Sequence, residues 1–295
     1  MNRLALTTIM LCACTLASAQ VEKNVTFACA KGEITYTKPD NDDEAESKIG
    51  HFIEAILAAT TGSSTTTVHH PEYADNVRAA IAGAIGNSRR IDVVGDTDMS
   101  GDMDHIDTYF EGSISAITTT TRLRTWEDKD KKKHEQTEYL GTITATIKLV
   151  DVASNTIVQT MHINTTSLSS SENWFATADK ALGHAISLMA SSITQKLNLT
   201  YPLYASIVDG STAKKDKQKE VYIDLGDNFG VFKGMTFKVS VETTVAGKQA
   251  YKEIGKLKIE EVMGEEISLC KVSRGGEKIK AALDNGDILV VTSTN

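Results

Sequence analysis

Long apolar runs, surplus basic charge and catalytic signatures are all scarce in this chain of 295 residues. Beyond the N-terminus, no apolar run reaches the roughly 20 residues that a membrane-spanning helix needs. Acidic residues outnumber basic ones by 39 to 31, which gives a formal net charge of −8. A chain this acidic is a poor candidate for binding nucleic acid, because the phosphate backbone repels it.

Sequence signatures of catalysis are missing as well. The chain has no serine nucleophile elbow, no phosphate-binding glycine loop with a lysine, and no reactive cysteine with an obvious histidine beside it. Gly226, Gly230 and Gly234 are not followed by a helical pattern, so they indicate turns rather than a dinucleotide site. We therefore expect a non-enzymatic protein without an organic cofactor.

The N-terminal residues have the pattern of a secretory signal peptide. Arg3 precedes the apolar stretch LALTTIMLCACTLA, and Ala17-Ser18-Ala19 forms a small-residue cleavage site before Gln20. Residues 1–19 are therefore predicted to be removed, which takes the net charge from −8 to −9 because Arg3 is lost and no acidic residue is. A lipoprotein signal with Cys14 acylated stays open as the alternative. Either signal places the mature chain outside the cytoplasm.

Only Cys29 and Cys270 follow the predicted signal peptide. An oxidising compartment permits a disulfide between them. The alternative is two separate buried thiols, since one cysteine lies in each of the two domains predicted below.

The first part of the chain alternates strands and helices. Asp75 is a suitable N-cap for the second of the helices, because its carboxylate can accept the first free N–H groups. The pattern before residue 95 predicts strands over 24–30 and 33–37, helices over 42–60 and 76–87, and a strand over 90–94.

Residues 106–168 are predicted to form an antiparallel meander. The apolar residues from Ile143 to Leu149 occupy every second position, which is the period of a half-buried strand. Asn155 suits the positive φ of the turn that follows. The predicted strands are 108–117, 139–150 and 156–166, with the charged residues 118–138 as a protruding loop, and a helix follows over 172–199.

The C-terminal part changes character after Tyr201-Pro202, which breaks the preceding helix. Six short strand-like runs separated by turn residues predict a small antiparallel barrel over 200–295. The expected fold is thus an α/β (α+β) domain over 20–199, with a mostly antiparallel sheet and packed helices, followed by a small all-β barrel.

Several motifs of the first domain resemble the core of the CsgG family. Phe110-Glu111-Gly112-Ser113-Ile114 resembles its glutamate-glycine-serine strand, and Lys148-Leu149-Val150-Asp151 with Ile157-Val158 resembles a later strand pair. The helix 76–87 followed by SRRIDVV resembles its helix-then-strand element, and the motifs occur in the family's order.

The C-terminal domain resembles the SH3-like terminal domain of FlgT-type flagellar assembly proteins. The resemblance is in Ile223-Asp224-Leu225-Gly226, Lys233-Gly234-Met235, Ile254-Gly255-Lys256-Leu257 and Asn285-Gly286-Asp287. Together the two resemblances imply a protein of the periplasm or outer-membrane periphery of a two-membrane bacterium. They imply binding to other envelope proteins, or to further copies of itself, in a secretion, appendage or cell-wall complex, and peripheral or lipid-anchored membrane association.

A channel subunit for curli-type protein export is the alternative that this family offers. Such subunits contribute membrane-crossing hairpins, and a charge near the bilayer midplane costs about 2–4 kcal/mol for Arg or Lys. Residues 118–138 carry many charges, and a second hairpin position after Thr166 is missing, so we expect a docking protein instead. The surfaces expected to bind partners are 118–138 and the turn 226–234; the residues singled out are Arg122, Arg124, Trp126, Lys131, Lys132 and Lys133.

The run DTDMSGDMDHID over residues 96–107 has the spacing of a calcium loop, with Gly101 at its tight turn. The candidate ligands are Asp96, Asp98, Ser100, Asp102, Asp104 and Asp107. Asp107 stands where such loops have a longer glutamate, and the flanks are predicted strands rather than helices. These departures favour a solvated acidic loop over calcium binding. His69 and His70, with Glu72 and Asp75 nearby, are weaker metal candidates for which a polar loop is preferred.

Overall fold

The computed structural model describes Asn24 and residues 26–37, 66–94, 105–168 and 173–294. The described residues divide into two compact units, one between Phe27 and Lys196 and the other from Leu197 onward together with Asn24 and Thr26. The predicted signal peptide 1–19, the predicted helix 42–60 and most of the predicted calcium loop lie outside the described residues.

The first unit is a mixed sheet with helices. Its strands are β1 (Phe27–Tyr36), β2 (Thr66–His69), β3 (Ile91–Val93), β4 (Thr108–Glu127), β5 (Lys133–Asp151) and β6 (Thr156–Asn164). Its helices are α1 (Ala74–Gly86), the short α2 (Thr165–Leu168) and, as far as Lys196, α3 (Ala178–Thr200). A 3₁₀ turn over Pro71–Tyr73 leads into α1.

The strand order is β3-β1-β4-β5-β6, with β2 pairing β4 farther along the strand. β1 is parallel to β3 and β4, whereas the remaining pairings are antiparallel. The predicted meander of β4, β5 and β6 is therefore confirmed, and so is the turn at Asn155, whose φ is 51°. The two short strands predicted before residue 38 are one strand instead, since a register shift between Lys31 and Ile34 absorbs the irregularity at Gly32.

The prediction of a loop over 118–138 is wrong. Antiparallel pairing of β4 with β5 continues without a register shift from Ala116 to Glu127, and only residues 128–132 form the turn. The charged side chains fit this ladder because opposite charges are directly opposed twice, Arg122 with Glu138 and Glu127 with Lys133, and such cross-strand pairs stabilise antiparallel strands. A charged run that is typical of loops is here the outer end of a hairpin.

The core of the first unit lies where alternate residues of β5 meet the helices. Ile143 and Ile147 are fully buried, and so are Leu182 and Met189 on one face of α3. A side chain on Gly141 would overlap the main chain of Ala181, so this glycine permits direct contact between β5 and the start of α3.

Two predicted helix starts need correction. Asp75 is not the N-cap of α1, because the 3₁₀ turn places Tyr73 there and Asp75 lies in the first turn, bonded to Arg78 at 2.7 Å. α3 begins at Ala178 rather than at 172, because the main chain of Phe175 bonds to that of Tyr139 and remains extended.

The second unit is a nearly closed antiparallel barrel. Its strands are β7 (Tyr204–Ala205), β8 (Ile207–Lys214), β9 (Lys217–Ile223), β10 (Thr236–Val245), β11 (Lys248–Val262), β12 (Ser268–Arg274) and β13 (Leu289–Ser293). They lie in the order β7-β13-β10-β11-β12-β9-β8. The two end strands of the sheet, β7 and β8, are therefore adjacent in sequence. The predicted barrel is confirmed, but not as an all-β unit, since the helix α4 (Gly276–Asn285) precedes β13.

The two cysteines are separate buried thiols, and the disulfide is not formed. Cys29 lies in β1, and Cys270 belongs to the barrel core with Phe237 and Val291. Burial raises the pKa of the Cys270 thiol to about 12 and also raises that of Cys29, so both thiols stay protonated and unreactive at neutral pH.

Candidate functional site

The outer end of the β4–β5 hairpin, residues 121–139, is called the ribbon below. Side chains alternate between the two faces of a strand, and directly opposed residues share a face. The arginine face therefore carries Arg122, Arg124, Trp126, His134, Gln136 and Glu138. The threonine face carries Thr121, Leu123, Thr125, Glu127, Lys133, Glu135, Thr137 and Tyr139.

Glu138 holds the base of the arginine face. Its side chain is 8% exposed and accepts from Arg122 at 2.7 Å and from Arg124 at 3.2 Å. Burial opposes ionisation of the carboxyl, but the hydrogen bonds from the two guanidinium groups outweigh burial and lower its pKa. The carboxylate thus stays charged and fixes both arginine side chains on this face.

Aromatic rings lie against both arginine side chains of this face. The Arg122 guanidinium lies 4.1 Å from the ring centroid of Trp174, and that of Arg124 lies 5.6 Å from Trp126. Trp126 stacks on His134 at a centroid distance of 5.4 Å and an interplanar angle of 19°. These contacts are cation–π and stacking interactions that hold the side chains in place at an otherwise solvated surface.

Asp128 organises the turn at the tip. One carboxylate oxygen accepts the N–H groups of Asp130 and Lys132, both at 2.9 Å, and the other lies 2.8 Å from Nε2 of His134. The hydrogen bond from His134, followed by those from the main chain, lowers the pKa of Asp128. Lys131 has a φ of 60°, a left-handed conformation that completes the turn.

The ribbon has open edges among the described residues. On the β5 side, Tyr139 exchanges main-chain hydrogen bonds with Phe175 at 2.7 and 2.9 Å; on the β4 side, pairing with β2 stops at Thr121. Main-chain groups of an antiparallel pair point alternately toward the partner strand and away from it. Because the main chain of Tyr139 points away from β4, every second residue beyond it also points outward. These residues are Thr137, Glu135 and Lys133 on β5 and, opposite them, Leu123, Thr125 and Glu127 on β4.

All six residues predicted to bind partners lie on the ribbon or its turn, but they are not equivalent. Arg122 and Arg124 are committed to Glu138, whereas Trp126 is 41% exposed. The lysines at 131–133 are exposed and form no ion pair with any residue the structure describes. Sequence reasoning missed Glu138, Trp174 and Asp128 as organisers, because their partners are known only once the hairpin register is known.

The second predicted surface, 226–234, is a 3₁₀ turn over Asp227–Phe229 followed by Gly230 in the left-handed conformation. The N–H of Asp227 donates to the carbonyl of Gly264 at 3.0 Å, and that of Asn228 to Glu265 at 3.3 Å. These bonds attach the turn to the β11–β12 hairpin, and partner binding at this turn stays a prediction.

Of the candidate metal ligands, the described residues include His69, His70, Glu72, Asp75 and Asp107. Within the described parts of the chain, no group of three histidine, cysteine or carboxylate residues could hold an ion. His70 is occupied on both ring nitrogens, by Glu72 at 2.9 Å and by Thr119 at 2.8 Å. Asp107, the last residue of the predicted calcium loop, accepts the N–H of Ala28 at 2.8 Å, and the loop itself stays a prediction.

No protein-family model matches the chain, and no curated protein matches it. Among solved structures, it is similar to a DUF330-family protein of Xanthomonas campestris, at 11% identity and a TM-score of 0.30, over 60% of this chain and 86% of that one. It is also similar to a variant of the PelC dodecamer from Paraburkholderia phytofirmans, at 11% identity and a TM-score of 0.29, over 59% and 90%. Likenesses this weak carry no argument about function, so the CsgG resemblance stays a prediction from sequence.

Proposed function

We propose that the chain is a non-enzymatic, exported envelope protein that binds other proteins through the ribbon. The observation that carries this proposal is the exposure of every residue from Leu123 to Thr137 except the partly covered Asp128, on a hairpin whose outer edges have no strand partner among the described residues. Such edges are available for main-chain pairing with another protein. The predicted signal peptide and the CsgG resemblance support the location.

The arrangement on the arginine face favours a specific docking surface over a mobile solvated tip. Glu138, the two arginines and the aromatic rings hold the side chains in one conformation before any partner arrives. A preordered surface loses less conformational entropy on binding. Trp and Arg are also the residue types that contribute most to binding energy at interfaces.

Site-specific photocrosslinking in the producing cells tests this proposal. A photoreactive residue replaces Trp126 or Lys132 on the ribbon, and Val158 of β6, which is 42% exposed, is the matched control position. We expect discrete adducts from both ribbon positions and none from the control. Adducts of equal yield from Val158, or no adducts from the ribbon, would contradict it.

The length of the hairpin favours one second candidate, a channel subunit. β4 has 20 residues and β5 has 19, and a membrane-crossing strand needs about 9–11. Against it, charged side chains lie on both ribbon faces, with Arg124 on one and Glu127, Lys133 and Glu135 on the other. The helices are a separate matter: none in the described part of the chain is long and apolar enough to cross a membrane.

Light scattering on the purified mature chain, residues 20–295, with and without lipid vesicles, separates the two candidates. A monomer or small oligomer that stays in solution when vesicles are added supports docking. A large ring that moves into the vesicles would support the channel, and protection of Lys132 from a water-soluble amine reagent in that fraction would place the ribbon inside the lipid.

A further inference from the structure

The second unit has an apolar groove on the outside of the barrel, separate from the ribbon. It has a volume of about 370 Å³ and is lined by Val208, Asp209, Tyr222, Met263 and Ile267. Val208, Met263 and Ile267 are 58%, 54% and 44% exposed. Exposure of this size is unusual for large apolar side chains gathered in one depression. The groove is large enough for one or two aliphatic side chains.

A β-bulge accounts for one wall. Ile207 pairs with Ile223 and Asp209 pairs with Tyr222, so two residues of β8 span the distance of one on β9. The extra residue, Val208, escapes the normal alternation. In a regular strand, neighbouring residues such as Val208 and Asp209 would point to opposite faces. The bulge instead places both on the outer face of the barrel.

Hydrogen bonds hold the opposite wall in position. The N–H of Met263 donates to the carbonyl of Ile267 at 2.9 Å, which closes the hairpin that carries both groove residues. The bonds from Asp227 and Asn228 to this hairpin anchor it to the neighbouring turn. Gly226 allows the close contact, because a side chain there would overlap Gly264 and Glu265. Main-chain contacts of the protein thus hold this wall of the groove in place.

The charge of the groove decides what fits it. Asp209 is the single charged lining residue, and it makes no ion pair with any described residue. An aliphatic ligand would leave this carboxylate uncompensated, and an acidic one would be repelled. A cation next to an aliphatic side chain satisfies both parts of the surface.

We infer that this groove binds an extended peptide segment of a partner protein that carries aliphatic side chains followed by a basic residue, with the basic residue beside Asp209. The aliphatic side chains contact Val208, Met263 and Ile267, and the thioether of Met263 adapts to their shape. This inference concerns a surface other than the ribbon and does not depend on the proposed function.

Methyl NMR on the mature chain, residues 20–295, with ¹³C-methyl methionine tests the inference. Met263 reports on the groove, and the buried Met189 of α3 is an internal reference. The probes are the capped peptides Ala-Leu-Val-Leu-Lys-Ala and Ala-Leu-Val-Leu-Glu-Ala, with Ala-Ala-Ala-Ala-Lys-Ala as the charge-only control. We expect the lysine peptide to shift the methyl signal of Met263 and to leave that of Met189 unchanged. Its dissociation constant should be about threefold lower than that of the glutamate peptide, which corresponds to the free energy of one exposed ion pair.

Variants separate the two contributions. Asp209→Asn should remove the preference for lysine without removing binding, and Val208→Asp should remove binding of all the peptides. Val245→Asp is the matched control, since Val245 is 61% exposed on a different hairpin and its replacement should leave the shifts unchanged. Equal affinity for the lysine and glutamate peptides, an unshifted Met263, or loss of binding in Val245→Asp would overturn the inference.

Discussion

The inner and outer halves of the β4–β5 hairpin share one continuous ladder, yet different interactions stabilise them. In the inner half, Ile143 and Ile147 are buried against other parts of the unit. In the outer half, burial is nearly confined to Glu138, and ion pairs and ring stacking take the place of a core. The difference shows that strand pairing can continue beyond the hydrophobic core where the residues opposed across the strands are well matched. It also means that the two halves should respond differently to substitution.

The largest contrast is expected from truncating an aliphatic side chain in each half. Ile147→Ala removes a fully buried side chain and should lower the free energy of unfolding by about 2–5 kcal/mol. Leu123→Ala removes one that is 50% exposed and should change it by less than about 0.5 kcal/mol. Denaturant unfolding followed by circular dichroism measures both. Similar losses would mean that the outer half is packed against something in solution.

The junction between the halves depends on Gly141. Gly141→Ala places a methyl group against the main chain of Ala181 and Leu182, so it should destabilise the protein by about 1–3 kcal/mol. Gly183→Ala is the control, because a side chain there meets no atom within 4 Å and lies within α3. That variant should be neutral or up to about 1 kcal/mol more stable. If both variants behave alike in thermal unfolding, the close approach is not required.

Glu138 sharpens the comparison through pH. Its folded-state pKa is lowered, so its contribution is fully present above its unfolded pKa of about 4.3 and is lost as pH falls through the folded value. Glu138→Gln should lower the free energy of unfolding by about 1–2 kcal/mol at pH 7, the difference between hydrogen bonds to a charged and to a neutral group, and by less near pH 3.

The control for this pH dependence is Glu135→Gln, at an exposed position on the other ribbon face. Unfolding measured from pH 3 to pH 7 should show the full pH dependence in the wild type and in Glu135→Gln. A Glu138→Gln protein with the wild-type profile would contradict the assignment.

A smaller effect is expected at the tip. Lys131 adopts a φ of 60°, which costs a residue with a Cβ about 1 kcal/mol. Lys131→Gly should therefore stabilise the protein by up to about 0.5 kcal/mol, because the greater freedom of glycine in the unfolded chain offsets most of this cost. Asn155→Gly, at a φ of 51°, should gain less because asparagine tolerates this conformation better. A loss of stability in Lys131→Gly, measured by thermal unfolding, would show that the lysine side chain itself supports the turn.

The smallest effect is expected from calcium. Binding to the folded state at 100 times the dissociation constant would add about 2.7 kcal/mol. Because Asp107 is too short for the bidentate position and already accepts the N–H of Ala28, we expect 1 mM calcium to leave the melting temperature unchanged. A clear rise that Asp98→Asn abolishes would establish the calcium loop.

How far sequence patterns predicted this molecule depended on the range of the interactions. The alternation in β5 predicted a half-buried strand, and the preference of Asn155 for positive φ predicted the turn before β6, because both are properties of neighbouring residues. The ribbon was predicted as a loop because its composition is typical of loops. What makes it a hairpin is that Arg122 and Glu138, far apart in sequence, are directly opposed.

The candidate sites divide in the same way. Composition alone located the charged surface that contains Trp126 and Lys132. The order of that surface comes from contacts between residues distant in sequence, such as Arg122 with Trp174. The groove beside Asp209 comes from a bulge in β8, which can be recognised only from the pairing of β8 with β9. Local patterns thus located the inner strand β5, the turn at Asn155 and the helices α1 and α3, since backbone preference and burial period act over a few residues. Pairing register and packing determined where the strands end and which side chains meet, because those depend on residues that only the folded chain brings together.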